Sequence, residues 1–186
     1  RVDTAKREAT VEGKVNGAKF LEFIANTKSG FRAYESAFEL NTDALTFNVA
    51  MILIGLDKAN SVASRYHFDP NPPQGDPVEI WVEWGRAGSR KRVRAEEMLV
   101  DVETKKKFPK SDWVYTGSSL IENGKYLAET DGVLIGFVHD PASIIESALP
   151  NGVGRFGFIQ LDSSLGLEAG SPIVLTVKPV KAVTKP

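Results

Sequence analysis

The run PVEIWVEW at residues 77–84 alternates with period two, a pattern that a helix cannot bury on one side. Val78, Ile80, Val82 and Trp84 share one face while Glu79, Trp81 and Glu83 share the other, so the stretch reads as a strand with one side on a core. Beyond a turn at 85–89, residues 90–95 return carrying Arg90, Lys91, Arg92 and Arg94. Acids on one strand and bases on the next predict cross-strand pairing on a solvated face. Cations beside Trp81 would also suit a nucleic-acid surface. The formal net charge of −1 provides no long-range attraction to phosphate, so neither nucleic acid nor an anionic membrane is an expected partner.

Around this strand the chain reads as further strands and one strong helix. Residues 9–15 alternate, and Asn16-Gly17 offers a two-residue hairpin turn into a second strand at 19–27. Residues 31–40 and 113–116 are strand-like, and Asn123-Gly124 predicts another hairpin with a return strand at 126–128. Residues 133–138 are apolar on both faces and read as an interior strand; 152–162 and 173–178 add two more. Asn41-Thr42-Asp43 caps a helix over 43–56. Leu45, Val49, Ile52, Leu53 and Leu56 lie on one of its faces and Phe47, Met51 and Ile54 on much of the other, so it must be covered on most sides. It is too short to cross a bilayer untilted, and no apolar run approaches the roughly 18 residues a spanning helix needs. Asp140-Pro141 predicts the start of a shorter helix, with Ile144, Ile145, Ala148 and Leu149 on one face and a stop at 150–152. The expected class is α+β: a largely antiparallel β-sheet packed against one long buried helix and one or two short helices. Residues 1–8 read as a flexible lead-in, 9–180 as a single domain and 181–186 as a loose tail. The chain opens at Arg1 and carries no signal peptide, so removal of a preceding segment is expected and export is compatible with it.

Signatures of chemistry are sparse. With no cysteine in 186 residues, thiol catalysis, disulfides and thiolate-held clusters are excluded. No nucleophile elbow, phosphate-binding glycine loop or zinc-protease helix occurs in its required context. His139 and Asp140, at the end of the 133–138 run, and Glu35 are the catalytic candidates, since carboxylates in different environments can divide acid and base roles. Asp131 is the alternative to Asp140 as the partner of Glu35 in that role. Asp140 before Pro141 is better explained as a helix cap. His67 stands in the long Pro-rich loop 57–77, which is a candidate ligand or partner contact. Two histidines do not make a metal site, and neither metal nor cofactor is expected.

Four blocks, YESAFELNTDALTFNVAMILIGL (34–56), PVEIWVEW (77–84), DWVYTGS (112–118) and DGVLIGFVHDPASIIE (131–146), in this order and spacing resemble the YdjY-like domain family of bacterial proteins over residues 9–151. The resemblance implies placement outside the cytoplasm and no established activity. The family's first block commonly begins His-Glu-Ser; here Tyr34 stands in the histidine's place, followed by Glu35 and Ser36. A histidine-dependent activity at that point would be lost, and a ferredoxin-like cluster lacks its thiolates. Tyr34, Glu35, Ser36, Trp113, Tyr115 and His67 are therefore expected to contact a ligand or partner. The expected function is a non-catalytic extracytoplasmic binding or assembly module with a protein partner. The alternative is a carboxylate-based hydrolase or small-ligand-binding protein with a pocket around Glu35 and Asp140. Convergence of Glu35, Trp113, Tyr115, His139 and Asp140 on one concave pocket would favour that alternative.

Overall fold

A computed structural model describes residues 1–86, 88–110, 112–121, 124–150 and 157–180. Its strands are β1 (Val2–Asp3), β2 (Glu8–Val15), β3 (Phe23–Asn26), β4 (Ser36–Leu40), β5 (Asp76–Trp84), β6 (Lys91–Arg94) and β7 (Leu99–Asp101), followed by β8 (Trp113–Tyr115), β9 (Val133–Gly136), β10 (Ile145–Ser147), β11 (Ile159–Leu161) and β12 (Pro172–Pro179). Its α-helices are α1 (Ala44–Leu53) and α2 (Leu127–Asp131).

The expectation of an α+β sheet on a long helix is wrong. Among the described residues the order β2-β12-β5-β8-β10-β9-β3-β4 returns to β2, so eight strands close a barrel and the fold is mostly β. Closure depends on β2 serving two neighbours: its length pairs with β12, and its end, Gly13 to Val15, also pairs with β4. A side chain at Gly13 would place its Cβ 2.4 Å from the Glu39 carbonyl oxygen, so the seam needs glycine. Pairings are antiparallel except β3 with β4 and β9 with β10. Outside the ring, β6 lies on β5, and β7 pairs with β11 as a separate ribbon. Closure removes the open edges that a sheet would leave.

The strand at 77–84 is as expected. Val78, Ile80, Val82 and Trp84 point into the core, and Arg92 and Arg94 reach Glu83 and Glu79 at 3.3 and 3.0 Å. Residues 133–138 also bear out their reading, with β9 buried throughout.

Four local readings fail. Of the strand expected over 31–40 only β4 forms, with Phe31–Glu35 a 3-10 turn instead. β2 and β3 are not a hairpin, because β3 sits between β4 and β9. The return strand at 126–128 is reduced to a single antiparallel bridge of Tyr126 with Leu120, after which α2 begins. The helix after Asp140 does not form: β10 occupies that stretch, paired with β8 and β9. Ile144 and Ile145 are β-branched and wholly buried, and two open strand edges outweigh the local helical spacing. α1 is also shorter than expected and is covered on one side only. Ala44, Phe47 and Met51 face the core, while Leu45, Val49, Ile52 and Leu53 are exposed.

Residues 1–8, read as a lead-in, contribute β1, which pairs with the start of β2. The loop 57–77 is ordered by a 3-10 turn at Lys58–Asn60 and a bridge between Val62 and Gln74. The Asn123 half of the expected turn, the 151–156 part of the helix stop and of the strand at 152–162, and the tail 181–186 lie outside the described residues. Among the described residues no helix is long and apolar enough to cross a membrane.

Candidate functional site

A polar cluster gathers where four chain segments meet. Glu22 immediately precedes β3, Arg32 and Glu35 come from the 3-10 turn Phe31–Glu35 ahead of β4, His67 comes from the loop before β5, and Asp140 follows β9. The backbone of Glu22 ties these segments together: its N–H donates to the Glu35 carbonyl at 2.9 Å, and its carbonyl accepts from Phe137 and Val138 at 3.3 and 3.2 Å. The buried Glu22 carboxylate lies 2.9 Å from His67 Nε2, and Asp140 Oδ2 lies 4.0 Å from the same nitrogen. Arg32 pairs with Glu35 and extends over the Phe23 ring, on whose side His67 also stacks.

The turn that presents His67 is strained. Phe68 has φ +64°, a conformation costing a bulky residue about 1 kcal/mol or more. Its N–H donates to the His139 carbonyl at 2.9 Å and its ring stacks on His67 at 4.3 Å, which hold the turn in place. Asp69 completes it by accepting from the Arg65 side chain and from both the N–H and side chain of Asn71, which keep its carboxyl well below the usual range.

Behind Asp140 lies Glu146, which is wholly inaccessible to solvent. It accepts from Ser64 N–H, from the Ser64 hydroxyl and from the Asp140 N–H, so one carboxylate pins two loops to β10. Burial outweighs these bonds and pushes its carboxyl up to about 7. Burial also raises Asp140, whose side chain accepts from the Ala142 N–H at 2.8 Å. The hydrogen bond to Glu22 raises His67.

Beside the cluster runs a groove of about 580 Å³, lined by Asn16, Ala18, Phe20, Glu22, Tyr34 and Glu35 among others. Phe20 and Tyr34 stand exposed on its rim, and Phe31 packs edge-on against Tyr34. The backbone N–H groups of Gly17 to Phe20 along one wall have no hydrogen-bond partner among the described residues.

The structure thus brings Tyr34, Glu35, His67 and Asp140 to one region. Ser36 lies beneath it, its hydroxyl donating to the Arg32 carbonyl. Of the sequence candidates only Tyr34 and Glu35 line the groove itself; His67 and Asp140 belong to the polar cluster beside it, and the others lie elsewhere. Trp113 is wholly buried and donates from Nε1 to Glu96. The Tyr115 hydroxyl donates to Asn48, and burial pushes it up to about 12. The wholly buried His139 places Nδ1 at 2.6 Å from the Asp69 carbonyl and Nε2 at 3.1 Å from the Ser147 carbonyl, so it is a staple between loop and strand. Asp140 caps no helix; it closes a tight turn.

Sequence reasoning missed Glu22, Arg32, Phe20 and Glu146. The available signal was an acid within an apolar run, in FLEFIA and again in SIIESA, where no solvated face exists to take it. Among the described residues, no three His, Cys, Asp or Glu side chains assemble into a set that could hold a metal.

Among known proteins, the YdjY domain model matches residues 1–158. No curated protein and no solved structure matches the chain.

Proposed function

The chain belongs to the YdjY domain family, and we propose that it is a non-catalytic, extracytoplasmic binding module that takes a segment of a protein partner into the groove beside Glu22 and Tyr34. The observation that carries this reading is the pairing of an apolar, aromatic-rimmed groove with charged groups that already satisfy one another. Glu22 is held by His67, and Glu35 by Arg32. Exposed aromatics alongside backbone N–H groups that have no partner among the described residues are what recognition of a peptide segment requires. Trp113, Tyr115 and His139 are built into the core, which removes most of the constellation a catalytic pocket would have used. Placement outside the cytoplasm rests on the family.

The test is capture from the source organism's envelope fraction by the wild type and by Phe20→Ala with Tyr34→Ala. The double variant should melt as the wild type does, because both side chains are about half exposed (47% and 58%), and should lose the captured partner. Equal capture by both would defeat the reading.

One observation favours the alternative of a small-ligand site or carboxylate-based hydrolase: His67 stands between two carboxylates with about a third of its side chain exposed. Any turnover in a substrate screen that Asp140→Asn removes, with melting unchanged, would decide for that alternative.

A further inference from the structure

The face of α1 that the sequence required to be covered is not covered by any of the described residues. Leu45, Val49, Ile52 and Leu53 form one stripe along the helix, 61, 45, 52 and 55% exposed. No charged side chain occurs from residue 44 to residue 56, so nothing on the helix interrupts the stripe. Isolated apolar side chains on a surface are ordinary; a continuous aliphatic face on a helix is an interaction surface.

We propose that this face is the interface of a two-fold symmetric dimer in which α1 packs antiparallel against α1 of a second copy. Two features select a second copy as the occupant. The first is shape. Leu45, Val49 and Leu53 repeat every four residues and form a ridge, with a groove of about 600 Å³ beside it whose walls include Val49, Leu53, Val2 and Val11. A ridge of this spacing packs into the groove beside its own symmetry mate, the commonest way two helices cross.

The second feature is charge. Asp43 caps the amino end of α1 through Thr46, and Glu129 accepts there from the N–H groups of Ala44 and Leu45 at 2.8 and 3.3 Å. At the carboxyl end Arg7 donates to the carbonyls of Ile54 and Gly55 at 2.9 and 3.1 Å. The helix is acidic at one end, basic at the other and neutral between. Antiparallel pairing sets each acidic end beside a basic one, whereas parallel pairing sets like beside like. A helix of this length spans only about 15 Å. The walls of the flanking groove must therefore join the contact to approach the roughly 1,200 Å² of a specific interface.

Sedimentation equilibrium of the full chain should show monomer passing to dimer across the micromolar range, with Val49→Asp raising the dissociation constant at least about 100-fold and leaving the circular dichroism unchanged. The absence of cysteine makes single-cysteine variants clean reporters of register. Val49→Cys, near the two-fold axis, should form a disulfide with itself. Leu45→Cys should form one with Leu53→Cys and not with itself. Self-linkage of Leu45→Cys would mean parallel pairing and overturn the arrangement. A wild type that stays monomeric up to about 1 mM overturns the proposal, even if the face then binds lipid vesicles or another protein. So does a dimer that Val49→Asp leaves intact.

Discussion

The two halves of the barrel are built by different means. One half consists of β2, β5 and β12, strands of 8, 9 and 8 residues joined by long antiparallel ladders, with apolar side chains inside and charge pairs outside. The other half consists of β3, β4, β8, β9 and β10, strands of 3 to 5 residues buried on both faces but for the half-buried Glu39 of β4. Long ladders fix their own register, because a slip of one residue would turn every apolar side chain outward. Short strands cannot do this. Their loops are held by buried polar side chains instead: His139 between loop and β10, Glu146 beneath two loops, and Thr116 Oγ1 on the Ser143 carbonyl at 3.0 Å. The candidate site belongs to this second half, where removing one side chain releases whole segments.

The largest effect expected from this contrast is that of His139→Ala. The substitution removes the ring that bridges two buried carbonyls and opens a cavity, a loss of about 3 kcal/mol or more by urea unfolding. A loss below about 1 kcal/mol would show that the short strands stand without their polar staples, and the contrast would break.

Glu146 sharpens the contrast through pH. Its carboxyl ionises near 4.5 in the unfolded chain and near about 7 when buried, so the folded state holds the proton more tightly. Stability is therefore greatest below about 4.5 as far as this group is concerned, falls as pH rises to about 7, and then levels, a total of about 3 kcal/mol. Asp140, raised by burial, and His67, raised by Glu22, act in the same direction, since protonation favours the folded state in both. Asp43 and Asp162 are lowered, so the stability they contribute is lost only on acidification below about 4 and does not offset the trend. Melting should be higher at pH 5 than at pH 8, and Glu146→Gln should flatten most of the difference. A wild-type profile that is flat between these values would remove Glu146 from the account.

The same contrast explains what could be read from the sequence. β5, β6 and β12 announce themselves because one face is wet and alternation survives. β9 was legible as a buried run, but its neighbour β10 was not. SIIES carries helical spacing as plausibly as strand propensity, and only the edges of β8 and β9, distant in sequence, decide between them. Closure of the barrel was equally hidden, since it rests on β2 meeting β4 at Gly13 rather than on any local pattern. Of the site, Tyr34 and Glu35 were found at the start of the first family block, His67 as a histidine in the long Pro-rich loop, and Asp140 as an acid at the end of an apolar run. Glu22 was missed because an acid in a strand is not by itself a sign of burial, and only the barrel that closes around it makes it inaccessible.

The smallest expected effect tests the other half. Glu83 and Arg92 face one another directly across β5 and β6 at 3.3 Å, with side chains 27 and 41% exposed. Solvent screens such a pair, so the coupling in a double-mutant cycle of Glu83→Ala with Arg92→Ala should be about 0.5 kcal/mol and shrink in high salt. Arg92 also lies 4.9 Å from the Trp81 ring centre, a contact that depends on its flat guanidinium. Arg92→Lys therefore separates the contributions: the charge pair persists and the stacking is weakened. Coupling to Glu83 should survive in Arg92→Lys, whereas coupling to Trp81, read against Trp81→Ala, should fall. A Glu83–Arg92 coupling above about 1.5 kcal/mol that resists salt would mean that side chains, and not the ladder, hold this half as well. The two halves would then differ in degree only.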